Sequence, residues 1–153
     1  MSSDIIYHGS NQEVREPRVI VQGFYKDFGY GFYCTRFEKQ ARRWASIKRN
    51  PHIVNVYEYN PEEKLKIKIF EKMSDEWLDF IASCRSGVEH SYDIVEGPMA
   101  DDTIWDYVED FLAERITRAA FWELAKFKEP THQILFCTDT ALKCIKFVRS
   151  YEL

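Results

Sequence analysis

The chain has 153 residues, 45% of them hydrophobic and 16% aromatic, with 11 Phe, 9 Tyr and 4 Trp. That composition excludes a disordered polypeptide and is enough for one buried core. The net charge of −4 gives no general pull towards nucleic acid, though it leaves room for a local basic patch, and no apolar run approaches the roughly 20 residues of a membrane span.

The opening "MSSDIIYHGS" lacks a basic stretch followed by a long apolar one, so no signal peptide is expected. Cys34, Cys84, Cys137 and Cys144 form no CxxC pair and no metal-ligand spacing with the four histidines. They read as reduced packing thiols of a cytoplasmic protein without a metal site. No linker, repeat or low-complexity tract interrupts the chain, which predicts a single domain over 1–153.

In chain order, "DIIYHGS" predicts a short strand ending in a turn. "TRFEKQARRWASIKR" predicts a helix, with Thr35 and Glu38 at capping-box spacing and Phe37, Ala41, Trp44, Ala45 and Lys48 at helical spacing. "HIVNVYEY" and "KLKIKIF" alternate and are joined by "NPEE", which predicts a hairpin. "SDEWLDFIAS" reads as a helix capped by Ser74, and "YDIVEG" as a strand closed by Gly97-Pro98. "DDTIWDYVEDFLAERI" and "TRAAFWELAKF" read as helices, with Asp101 and Asp102 answering the free N–H groups of the first. "HQILFCT" and "CIKFVRSYEL" read as two strands suited to pair. Strands and helices do not alternate regularly, so an α+β domain is expected rather than a doubly wound sheet.

Three clusters carry polar or aromatic groups at bends. In "YHGS", His8 can exchange a hydrogen bond and Gly9 lets a ligand approach the backbone, although a plain turn explains the same residues. In "DFGYGFYCT", Gly29 and Gly31 permit positive φ. Tyr30, Phe32 and Tyr33 then either stack a flat ligand or pack a hairpin core. In "THQILFCTDTALKCIKF", strand alternation sets Gln133 on the side opposite His132 and Ile134. No P-loop, GxGxxG or hydrolase nucleophile motif is present.

Taken in order, "YHGS", "GYGFYCT" and "HQILFCT" resemble the ADP-ribosyltransferase superfamily, in its poly(ADP-ribose) polymerase-like branch. That branch carries a His-Gly-Ser/Thr strand, a G-x-G-[IFL]-Y bend and a strand opened by the catalytic Glu. The chain is also similar to small bacterial domains with the pattern "YHGS…DFGxGFYxT…HQIxF". The resemblance implies a split mixed sheet with helices packed around it, and NAD as substrate. It implies that His8 bonds the adenosine ribose and that the Gly9 backbone holds the nicotinamide amide, with Ser10, Gly31 and Thr35 nearby. Tyr33 would pack on the nicotinamide, and Trp44 would face it eleven residues on.

One position departs from the family: Gln133 stands where the catalytic Glu is expected. An amide keeps hydrogen bonding but loses the charge that stabilises the oxocarbenium-like state. Poly-chain extension leans on that carboxylate, so the resemblance implies single ADP-ribose transfer, with Glu129 or Asp101 as candidate substitutes for the charge. His8, Tyr33 and Gln133 are the expected catalytic set. The acceptor would be a macromolecule, protein or nucleic acid, and a toxin with a neutralising antitoxin partner fits a small domain of this type. Alternatives are NAD hydrolysis, the RNA 2′-phosphotransferase branch with Arg42, Arg43, Lys48 and Arg49 as its basic set, and a non-catalytic module that binds NAD, ADP-ribose or a protein.

Overall fold

The computed structural model describes residues 4–19, 28–100, 102–126 and 131–153. These contain seven strands and five helices: β1 (Asp4–Ser10), β2 (Phe32–Cys34), α1 (Glu38–Ser46), β3 (Ile53–Tyr59), β4 (Ile67–Ile69), α2 (Asp75–Arg85), β5 (Ile94–Gly97), α3 (Asp102–Leu112), α4 (Arg118–Ala125), β6 (Gln133–Phe136), α5 (Asp139–Leu142) and β7 (Ile145–Glu152). The fold is α+β, as its irregular order of elements predicts.

The strands form two sheets. One is antiparallel, in the order β1-β3-β7; the other is mixed, in the order β2-β6-β5-β4. Alternation along the strands builds the layers. Ile6, Tyr57 and Tyr59 of the first sheet pack against Phe32, Cys34, Ile94, Ile134 and Phe136 of the second. Val54 on the other face of the first sheet packs on Ala41 and Ala45 of α1. Val95 and Leu135 on the other face of the second sheet meet Trp77, Leu78 and Ile81 of α2, Ile104 and Val108 of α3, and Phe121 of α4. The result is helix, sheet, sheet, helices.

Two sequence expectations fail on pairing and one on capping. "NPEE" does not close a hairpin: β3 lies between β1 and β7, and β4 pairs parallel to β5 in the other sheet. β6 does not pair with β7 either; it runs between β2 and β5, and α5 intervenes. Alternation cannot show which of two sheets a strand joins, because both sheets bury one face in the shared core. Thr35 and Glu38 do not form a capping box. The helix begins at Glu38 with Phe37 as N-cap and no side-chain cap, and Thr35 is buried in a bridge to Tyr7. Ser74, by contrast, accepts from the Trp77 N–H as expected, and Thr117 accepts from that of Ala120. α1 stops at Ser46, where His52 Nδ1 bonds the Ala45 carbonyl at 2.8 Å. α3 stops at Leu112, short of the expected Ile116.

Candidate functional site

The two sheets meet at a seam. Tyr7 and Thr35 exchange backbone hydrogen bonds of 2.8 and 2.9 Å across an isolated antiparallel bridge, so β1 continues the edge of β2 for one residue pair. In an antiparallel ladder, residues two apart turn their backbone groups to the same edge. Tyr7 faces β2, so Gly9 turns its N–H and C=O the same way, just past the bridge. His8 then adds a side-chain tie: its Nδ1–H donates to the Tyr33 carbonyl at 2.6 Å, and its ring lies 4.2 Å from that of Phe32.

The bridge also makes the outer face of β1 continuous with that of β2, because paired residues share a face. Tyr33 lies on this outer face, and Gln133 is two residues from Leu135, the partner of Tyr33, so it points the same way. α1 covers the β1 part of that face and carries Trp44. His8 projects from the inner face. Tyr33 and Gln133 therefore share one face of the second sheet, Trp44 of α1 lies against Gly9, and the ring of His8 lies on the opposite face beside Phe32.

Each residue has local duties. The Tyr33 hydroxyl donates to the Gly29 carbonyl at 2.7 Å and accepts from the Phe28 N–H at 3.2 Å, which fixes the bend. Gly29 and Gly31 have φ of 94° and 152°. A Cβ at Gly31 would also overlap the Phe136 carbonyl and come 2.7 Å from Leu135 Cδ1, so β6 packs directly on the bare Cα. Gln133 is only 4% exposed.

Gly9 differs from its sequence reading. A Cβ there would overlap the Ala41 carbonyl and lie 2.9 Å from Trp44 Cβ. The missing side chain serves close packing of α1, and only the backbone edge of Gly9 remains for a ligand. Thr35 is fully buried; its Oγ1 bonds His132 Nδ1 at 3.2 Å and accepts from the Phe37 N–H at 3.1 Å. It braces the seam rather than lining it. Ser10 Oγ accepts from the Gln12 N–H at 3.3 Å, at the mouth of a cavity of about 530 Å³ that His8 and Phe32 also line. Asp101 and Glu129, the candidate substitute acids, lie outside the described residues.

Two groups escaped the sequence reading. The first is Arg36–Glu96–His132. Arg36 Nε donates to Glu96 Oε2 at 2.6 Å and Arg36 Nη1 to Asp4 at 2.7 Å, which staples the two sheets together. The Arg36 N–H donates to His132 Nδ1 at 3.1 Å, so that nitrogen accepts and Nε2–H donates to Glu96 at 2.8 Å. Burial pushes the Glu96 carboxyl up, but the hydrogen bonds from His132 and Arg36 outweigh it and hold it at about 2. Glu96 pairs with Ile134, on the face opposite Gln133, and its charge is already neutralised, so it is no replacement for a carboxylate at position 133. A lone acid in the fully buried strand "IVEG" was the available signal.

The second is Asn55. Its Oδ1 accepts from the Val14 N–H at 2.8 Å, and its Nδ2 donates to the carbonyls of Gln12 and His8 at 3.0 and 3.4 Å. With the Tyr57 hydroxyl on the Val14 carbonyl at 2.6 Å, it shapes the loop after His8. A polar residue on the core-facing register of "VNVYEY" was its signal.

All four cysteines are free, with burial pushing the Cys137 thiol up to about 12. Among the described residues, no three His, Cys, Asp or Glu side chains converge to hold a metal, and no helix is long and apolar enough to cross a membrane. Comparison with curated proteins and with solved structures gives no match. A family profile spans residues 5–147, from β1 to β7 and across the whole seam, and on that match the chain belongs to the family described as "Protein of unknown function (DUF3990)".

Proposed function

We propose that the chain is an NAD-consuming mono-ADP-ribosyltransferase whose site is the seam between β1 and β2. The observation that carries this reading is the Gly9 backbone edge, with the His8 Nδ1–Tyr33 O bond of 2.6 Å beside it. A nicotinamide carries one carbonyl and one NH2. The outward N–H and C=O of Gly9 match that pair, and the rings of Tyr33 and Trp44 offer flat apolar flanks. His8 is turned towards the other side, where the cavity beside Ser10 has room for the rest of the dinucleotide. The reaction breaks the bond between nicotinamide and ribose. Free nicotinamide leaves, and a nucleophile on a macromolecule takes the ADP-ribose with loss of its proton to solvent. Gln133 orients ribose hydroxyls through neutral hydrogen bonds. A toxin restrained by an antitoxin is the biological setting that fits the resemblance.

One observation favours a second reading. Gln133 is neutral, and Glu96, the nearby charged group, is spent on Arg36 and His132. A neutral amide at the position of the family's acid suits a module that binds NAD or ADP-ribose and leaves it intact. Incubation with NAD separates the two: nicotinamide release, with water or an extract as acceptor, supports the enzyme. Saturable NAD binding without release under any acceptor source supports the module, and absence of binding removes both.

A further inference from the structure

Residues 39–49 carry five cations, Lys39, Arg42, Arg43, Lys48 and Arg49, and no acid, in a chain whose net charge is −4. All five are exposed. Several cations elsewhere have acidic partners: Arg36 with Glu96, Lys64 with Glu62, Arg115 with Asp110 and Arg118 with Asp79. Among the described residues, none of the five has a carboxylate within ion-pair distance. A single cation in the last turn of α1 answers the helix dipole, and Arg43 is enough for that.

β7 extends the patch. After the bulge opposite Val56 and Tyr57, Arg149 pairs with Val56 and Tyr151 with Val54, which turns both towards α1. The guanidinium of Arg42 lies 5.9 Å, and that of Arg149 5.2 Å, from the Tyr151 ring centre. The Tyr151 hydroxyl bonds Glu38 at 2.6 Å, so two arginines from different elements are set against one anchored ring.

We propose that this face binds the phosphate backbone of a single-stranded nucleic acid. α1 spans about 13 Å at about 1.5 Å per residue, and Arg42, Arg43, Lys48 and Arg49 offer one cation each to about four phosphates of a strand. Arginine forks suit phosphate, and ring surface beside them suits bases. Ala41 and Ala45 of α1 are buried on the sheet and Ile47, 77% exposed, is the large apolar side chain open within 39–49, so this face offers a lipid surface one side chain rather than an apolar stripe. α1 also carries Trp44 beside Gly9, so a strand held here lies next to the seam. Its role as ADP-ribose acceptor rests on the proposed function; the binding does not.

The test is fluorescence anisotropy with labelled 20-mers of deoxythymidine and of uridine. An anionic phosphatidylserine vesicle and a poly-glutamate peptide serve as competing anions. Both oligonucleotides carry the phosphate, and the tighter one identifies the sugar preferred. With four phosphates neutralised, affinity is expected to fall about fifty-fold between about 50 and 200 mM salt. The variant Arg42→Ala/Arg43→Ala/Lys48→Ala/Arg49→Ala is expected to lose at least ten-fold in oligonucleotide affinity, with unchanged thermal unfolding and NAD affinity. Failure of both oligonucleotides to bind, equal affinity in the variant, or tighter capture of vesicle or poly-glutamate overturns the proposal. Nicotinamide release is read in the same samples: its absence with oligonucleotide binding intact sinks the enzyme and leaves this surface standing.

Discussion

Glu96 on β5 accepts the Nε2–H of His132 at 2.8 Å while Arg36 holds the same carboxylate from the β2 side. This triad closes the rim of the core between the sheets. The folded carboxyl is held at about 2, below its usual 4.5. A depressed acid contributes stability that is complete above its unfolded value and lost as pH falls through the folded one. The contribution is at most ~3 kcal/mol, full above about pH 5 and fading towards pH 2. Glu96→Gln should cost about 2–4 kcal/mol at neutral pH and flatten the acid limb of the stability curve. Urea unfolding of parent and variant between pH 2.5 and 7 measures both; an unchanged acid limb would show that the triad is not coupled to folding.

Gly9→Ala separates the packing role of Gly9 from its backbone edge. The added Cβ would overlap the Ala41 carbonyl and lie 2.7 Å from Ala45 N, so α1 must move. Overpacking of this kind costs about 1–3 kcal/mol. A cost of about 2 kcal/mol lowers the melting temperature by roughly 4–8 °C in a chain of this size. A melting temperature within a degree of the parent would mean that α1 does not pack on β1 as described.

His8→Ala should lower NAD affinity about ten-fold. It should also cost about 1 kcal/mol of stability, since it deletes the bond to the Tyr33 carbonyl and the contact with Phe32. Titration calorimetry with NAD and thermal unfolding read the two effects on one sample. Full NAD affinity with a large loss of stability would assign His8 to the fold alone.

Gln133 is the sharpest position for chemistry. Gln133→Ala should cut nicotinamide release at least ten-fold. Gln133→Glu should raise release ten-fold or more at neutral pH, because a carboxylate suits the developing positive charge on ribose. At 4% exposure, burial pushes an introduced carboxyl upward. Its folded value then exceeds its unfolded one, so the variant is least stable at high pH and recovers as pH falls through the folded value. Equal turnover by Gln133→Ala and parent would place the residue outside the site.

The local chemistry was legible in the sequence. Gly29 and Gly31 announced a bend that only glycine adopts easily, Ser74 a helix start, and "DIIYHGS" a strand, because these depend on residues a few positions apart. The face on which Gln133 lies, opposite His132 and Ile134, also follows from alternation alone. Partnership was decided by tertiary structure. β3 left the expected hairpin with β4, and β6 left β7, because two sheets sharing one core offer each half-apolar strand more than one edge. Thr35 became a buried brace because Tyr7, 28 residues earlier in the chain, took its backbone. The Arg36–Glu96–His132 triad joins groups 60 and 36 residues apart, a distance no local pattern spans. Gly9 lost its open side to α1 for the same reason: the helix that covers it is set by Ala41 and Ala45 finding the small surface it presents.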